Sequence, residues 1–232
     1  NQMNDYGTPM ALMLLPYWSE GHPSMEGLYF ESALTTPFHF LNAAEVSQRP
    51  SNPVRFIDPE TGDLVQRYST MDFDRALPHL ALYNVRYYVA YTDEGRRRAR
   101  GAELTELASA PPWTIFELPE SSLIEVAEYE PAVYRGTDGF REATFDWYDN
   151  VTRLDHWMVE DGLSAWPEVA DVSEVPLAGE RIVTAGEVSD VVLEDHRIAF
   201  RTTAVGVPHL IYVSYFPNWH DYGAYGPYRA AP

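Results

Sequence analysis

Cysteine is absent from the 232 residues and so is lysine: the 16 basic side chains are all arginine, against 35 acidic ones and a formal net charge of -19. Without cysteine there is no disulfide framework, no thiolate zinc site and no cysteine nucleophile. Nucleic acid and anionic lipid headgroups are poor partners for so acidic a chain, because phosphate binding depends on clustered cations. Neutral ligands such as sugars, or cations, remain, and acid excess also serves plain solubility. Neither Gly7-Thr8-Pro9 nor Gly21-His22-Pro23 fits a glycine-rich phosphate loop, no Gly-x-Ser-x-Gly elbow occurs, and the seven histidines fall at no strong metal spacing. No cofactor is expected. The apolar run Met10 to Leu15 is far short of the ~20 residues of a spanning helix, and Asn1 to Asp5 lacks the cationic start of a leader.

What is present is a hydrophobic share of 45%, enough to fill a core, and an aromatic share of 14%. The run Met10 to Leu15 reads as a core element, strand or short helix, which empties into a loop from Pro16 to Glu31 rich in carboxylates and rings. Thr36 and Pro37 open a helix, and Asp58 to Asp63 is a solvated tip between strands at Val54 to Ile57 and Leu64 to Tyr68. Apolar spacing predicts a helix over Asp72 to Tyr83 in which Pro78 kinks the axis or begins a second turn, with Asn84 as a left-handed cap. A strand follows at Val85 to Tyr91, then a helix from Thr92 whose Arg96 to Arg100 run is a solvated end. Strands at Glu103 to Ala108 and Trp113 to Leu118 flank a turn at Ala110-Pro111-Pro112.

Beyond Glu117 to Ser122, of linker composition, the texture changes. Strands are expected at Leu123 to Ala127 and Ala132 to Tyr134, then a helix near 139–151, capped by Asp138, that buries Phe140, Ala143, Trp147, Tyr148 and Val151. Four strand-like segments between Ile182 and Phe216 suggest an antiparallel sandwich. The fold class is therefore α+β: a small α/β sheet-and-helix half over 1–120 and a mainly antiparallel β, sandwich-like half over 121–232.

Chemistry concentrates in two loops. Trp18, Glu20, His22, Glu26, Tyr29, Glu31 and His39 in the first, and Trp219, His220 and Tyr222 in the second, form the candidate substrate-binding set. Aromatic rings stack on the apolar faces of sugars while nearby carboxylates and amides take the hydroxyls. Trp147 and Trp157 are further candidate platforms. Glu20, Glu26 and Glu31 are the nearest approach to the carboxylate pair of a glycoside hydrolase, and His22, Glu26 and His39 to a metal site. The helical carboxylates Glu142, Asp146 and Asp149 share one face and read as a solvated surface.

Three stretches, Leu15 to Trp18 through Ser24 to Ser32 and Pro37 to Phe40, then Asn84 to Tyr88, then Val213 to Trp219, together resemble the extracytoplasmic region of actinobacterial multi-pass membrane proteins of the GT-C-like glycosyltransferase type. The all-arginine basic set fits a high-GC coding bias. The resemblance implies a non-catalytic domain on the extracytoplasmic face of the membrane, tethered by flanking transmembrane helices, in cell-envelope glycan assembly. Its partners would be its own transmembrane domain and a glycan or polyprenyl-linked sugar, with no nucleic acid. No catalytic residue carries over, since such transferases keep their catalytic acid in the membrane portion. Two other readings stand beside it: a glycoside-processing hydrolase using Glu20, Glu26 and Glu31, and a purely structural or interaction domain whose loops fold inward.

Overall fold

Side-chain caps mark where two of the five described α-helices begin. The computed structural model describes residues 14–19, 23–25, 35–47, 56–57, 60–62, 64–66, 71–119, 122–175, 182 and 186–232. A one-turn helix, α1 (Leu15–Trp18), buries none of its residues, and Leu14 before it keeps 44% of its surface. The described end of the apolar run is thus exposed rather than core, while Met10 to Met13 lie outside the described residues. Helix α2 (Thr36–Val46) starts one residue earlier than expected, with Thr35 at the cap position and no side-chain cap bond. Pro37 sits in the first turn, where an amide proton has no helical partner to lose. Phe38, Leu41, Asn42 and Glu45, at i, i+3, i+4 and i+7, make its buried stripe.

Strands β1 (Phe56–Ile57) and β2 (Leu64–Gln66) pair antiparallel around exposed Glu60, Thr61 and Gly62. Asp58 and Asp63 lie outside the described residues. Helix α3 (Phe73–Leu82) is capped by Asp72, whose carboxylate accepts from the amides of Asp74 and Arg75. It runs through Pro78 as one helix, at the cost of the bond that residue 78 would otherwise donate to Asp74. Asn84 takes the left-handed conformation (φ 53) expected of it.

Strand β3 (Tyr87–Ala90), helix α4 (Asp93–Gly101), β4 (Thr105–Ala110) and β5 (Trp113–Glu117) follow, and the sheet order is β3-β5-β4, antiparallel throughout. Thr92 caps α4 by accepting from the Gly95 amide at 3.0 Å. A Cβ on Gly95 would stand 2.9 Å from the Tyr88 hydroxyl, so this helix meets the sheet only with glycine there. Arg97, Arg98 and Arg100 are exposed as a solvated helix end should be. Arg96 departs from that expectation: it turns inward to the carbonyls of Tyr91 and Pro112, tying the start of α4 to the β4–β5 turn.

The second half holds β6 (Ile124–Val126), β7 (Ala132–Tyr134), α5 (Phe140–Asp149), β8 (Met158–Val159), β9 (Glu168–Val169), β10 (Val188–Glu194), β11 (Arg197–Thr202) and β12 (His209–Ile211). Gly139, not Asp138, occupies the cap position of α5, without a side-chain cap bond. The pairs β10–β11 and β6–β12 are antiparallel. The strand β7 instead pairs parallel with both β8 and β9, and α5 supplies the crossover to β8 that parallel neighbours require. The whole is an α+β fold with a strand-rich second half. No described helix is long and apolar enough to cross a membrane.

Two hydrophobic clusters hold it together. One packs Phe73 and Leu80 of α3 against Ala90, Ala99, Leu104 and Phe116. The other packs Phe38 and Leu41 of α2 against Trp147, Tyr148, Met158, Val169 and Ala231. Between them lies a buried polar joint. His79, with no exposed surface, sets Nδ1 2.7 Å from Glu45 Oε2 and Nε2 2.8 Å from the Tyr148 carbonyl. Its ring stacks on Tyr148 at 3.7 Å and 8°. The Nε2 proton goes to the carbonyl, so a second proton must lie between Nδ1 and Oε2, on one atom or the other. Arg75 closes the joint, reaching Glu45 at 3.4 Å and Asp149 at 2.7 Å.

Replacing His79 by Ala removes the closer partner of buried Glu45 and leaves the 3.4 Å contact to Arg75, and removal of one member of a buried pair costs about 3–5 kcal/mol. Arg97→Ala, at an exposed pair, should cost about 0–1 kcal/mol. Urea denaturation of the two variants beside the parent chain checks both; equal small losses would show that the joint contributes nothing beyond a surface pair.

Candidate functional site

Much of the chain beyond β12 forms one wall of a wide concavity. After β12 the chain runs in loops to Pro232, and its end is strapped to β8: the Ala231 amide donates to the Met158 carbonyl at 2.9 Å and the Glu160 amide to Arg229 at 3.0 Å. Gly223 (φ 85) and Gly226 (φ 128) take left-handed turns between these anchors, which side chains with a Cβ rarely adopt. The loop therefore presents its rings outward from fixed ends. Tyr222 is fully exposed and Tyr225 keeps 85% of its surface.

Facing this wall are the first turn of α2, the strand β11 and the segment around Trp157 and Trp166. They enclose an open cleft of about 2380 Å³, well beyond the roughly 300–1,000 Å³ of a pocket for a compact small molecule. An extended chain fits such a volume better. Ring contacts build its floor: Trp157 meets Tyr212 edge-on at 6.2 Å, and Trp166 meets Tyr228 at 5.4 Å. The Trp166 ring lies so close over Gly162 that a Cβ there would be 2.5 Å from it. Trp147, beneath Trp157, is wholly buried and donates Nε1–H to the His156 carbonyl at 2.9 Å. It is a core residue, which corrects its reading as a platform.

Polar groups around the rings are mostly committed. The Tyr212 hydroxyl donates to Glu125 at 3.1 Å, and burial together with that carboxylate pushes its pKa up, so it stays protonated. His209 donates from Nδ1 to the Val207 carbonyl and lies 2.8 Å from the Thr202 hydroxyl, which itself accepts from the Ala204 amide. The chain of bonds is complete when Nε2 accepts from Thr202, which sets the tautomer. Charge is the notable feature. Among the described lining residues the carboxylates are Glu130 and Asp221 and the cations are Arg141, Arg197 and Arg229, in a chain with 35 acids and 16 arginines. Among the described lining residues the acidic surplus of the whole chain is therefore not repeated.

Of the residues singled out from sequence, His39, Trp219, His220 and Tyr222 come together here. His39 belongs to the buried side of α2, with its ring 5.5 Å from Phe40. Trp18 is 58% exposed on α1 and does not join the described lining. Glu20, His22, Glu26, Tyr29 and Glu31 lie outside the described residues, and with them the carboxylate set of the hydrolase reading. Of the helical carboxylates, Asp149 is bonded to Arg75, and burial, then neighbouring Asp149, Asp171 and Asp138, raise the pKa of Asp146. No cluster of three or more possible metal ligands occurs among the described residues. Trp166, Tyr225, Tyr228 and Arg229 were missed as individual residues; the glycine-punctuated tyrosines of the last loop were the available signal, and Trp166 offered none. No protein-family model, curated protein or solved structure matches this chain.

His156, behind the floor, is buried and stacked on Tyr129 at 3.9 Å. Burial lowers its pKa, with Asp155 pulling weakly the other way. The folded chain thus favours the neutral ring, and this contribution is intact above the unfolded value near 6.5 and lost as the pH falls below it. His156→Gln should therefore show a smaller loss of urea midpoint between pH 7.5 and pH 5.5 than the parent chain. An equal loss in both would show that His156 is not a source of acid sensitivity.

Proposed function

We propose that this chain is a non-catalytic extracytoplasmic domain of a multi-pass membrane protein of cell-envelope glycan assembly, and that its aromatic cleft holds carbohydrate. The observation that carries the reading is the cleft itself: open, lined by tryptophan and tyrosine, and with Glu130 and Asp221 as the carboxylates among its described lining residues. Sugars offer apolar C–H faces to rings and hydroxyls to peptide and amide groups, and bind with little need of charge. The membrane setting rests on the resemblance of Leu15 to Phe40, Asn84 to Tyr88 and Val213 to Trp219 described above. Hydrophobic spans of ~20 residues encoded on either side of this segment would support it.

Binding is read most directly from the ring resonances of Trp219, Tyr222 and Tyr225 during titration with neutral envelope oligosaccharides. Shifts with a Kd between roughly 0.1 and 1 mM are expected, abolished in Tyr222→Ala/Tyr225→Ala while the fold is retained. Unchanged spectra at several millimolar ligand across hexose and pentose polymers, neutral and acidic, would remove carbohydrate from the proposal.

A further inference from the structure

An antiparallel sheet packed on one side normally turns polar residues to water on the other. The β3-β5-β4 sheet does not. Its inner positions, Tyr88, Ala90, Thr114 and Phe116, face α3 and α4. The cross-strand registers set Tyr87 and Val89 of β3, Trp113, Ile115 and Glu117 of β5, and Thr105, Ala108 and Ala110 of β4 on the opposite face. Six of these eight are apolar. Tyr87 and Val89 each keep 41% of their surface, and Leu107, at the bulge in β4, keeps 49%. The sole carboxylate among the eight, Glu117, is bonded to Arg86 at 3.0 Å, and that guanidinium also lies over the Tyr87 ring.

We propose that this outer sheet face is a contact between two copies of the chain. Two features select a second copy over an unrelated partner. The face is charge-balanced, so two molecules of net charge -19 meet there with the least repulsion. Its relief is also self-complementary: bulky Tyr87 and Val89 run along one edge and small Ala108 and Ala110 along the other, with β5 between. A two-fold axis parallel to β5 lays the bulky row of one copy over the small row of the other, the isologous arrangement of a symmetric dimer. Eight outward positions are fewer than the roughly 20–30 residues a side of a standard interface, so the dimer is weak, with a Kd between roughly 10 µM and 1 mM.

Sedimentation equilibrium over that range should show the mass rising from 26.4 kDa toward twice that value. Val89→Glu, which charges the bulky row, and Ala108→Trp, which fills the trough, should both stay at the monomer mass, and Val191→Glu on β10 should associate like the parent. Circular dichroism monitors the fold; if Val89→Glu unfolds, Ala108→Trp on the edge strand carries the comparison. A parent chain that stays monomeric throughout overturns the proposal. So does association undiminished by Ala108→Trp, which would put the contact elsewhere, or abolished by Val191→Glu.

Discussion

The contact between Glu45 and His79 lies where the two hydrophobic clusters meet, and the rest of the arrangement depends on it. Helix α2 belongs to one cluster through Phe38 and Leu41, helix α3 to the other through Phe73 and Leu80, and α5 is reached by the second ring nitrogen of His79. Hydrophobic packing is non-directional and would tolerate α2 sliding against α3. A buried carboxylate tied to an imidazole and a guanidinium does not, because each displaced bond leaves a desolvated polar group. The joint therefore supplies orientation where the apolar clusters supply most of the burial.

Orientation at that point has a consequence one helix-length away. The far end of α2, Thr35 to His39, forms part of the cleft opposite the C-terminal wall. That wall has its own backbone anchors, the bonds of Arg229 and Ala231 to β8 and its neighbour Glu160, and Met158 and Ala231 also pack in the cluster that holds α2. Both sides of the cleft are thus anchored, one by the polar joint and one by the strap to β8, and the rings of Tyr222 and Tyr225 remain exposed. Among the described lining residues carboxylates are few, so the rings there have few of the strongly hydrated neighbours that would compete with a stacked ligand.

Local rules were legible in the sequence where an element carried its own signal. Asp72 and Thr92 marked helix starts, Asn84 marked a left-handed turn, and runs of β-branched and aromatic residues marked β3 and β5. Two-residue strands such as β8 and β9 carry no alternation, so the parallel pairing around β7 had no local trace. The polar joint was equally hidden: Glu45 and His79 are 34 residues apart, and each alone reads as a surface residue. Arg96 was misjudged because its neighbours Arg97, Arg98 and Arg100 are solvated and helical spacing alone turns it inward. For the cleft, the glycines and rings of the last loop showed a presented surface, but nothing local tied it to Trp157, Trp166 and the start of α2. Trp147 was half-read, its place on the buried stripe of α5 being evident while its ring was also counted as a platform.

The central claim is that the Glu45 joint orients α2 and through it one side of the cleft. Amide hydrogen exchange in Glu45→Gln measures this directly, segment by segment. Protection should fall across residues 36–46 and 140–149 while residues 105–117, in the sheet of the other cluster, keep theirs. Protection in 36–46 that is unchanged, or lost in equal measure throughout the chain, would contradict it.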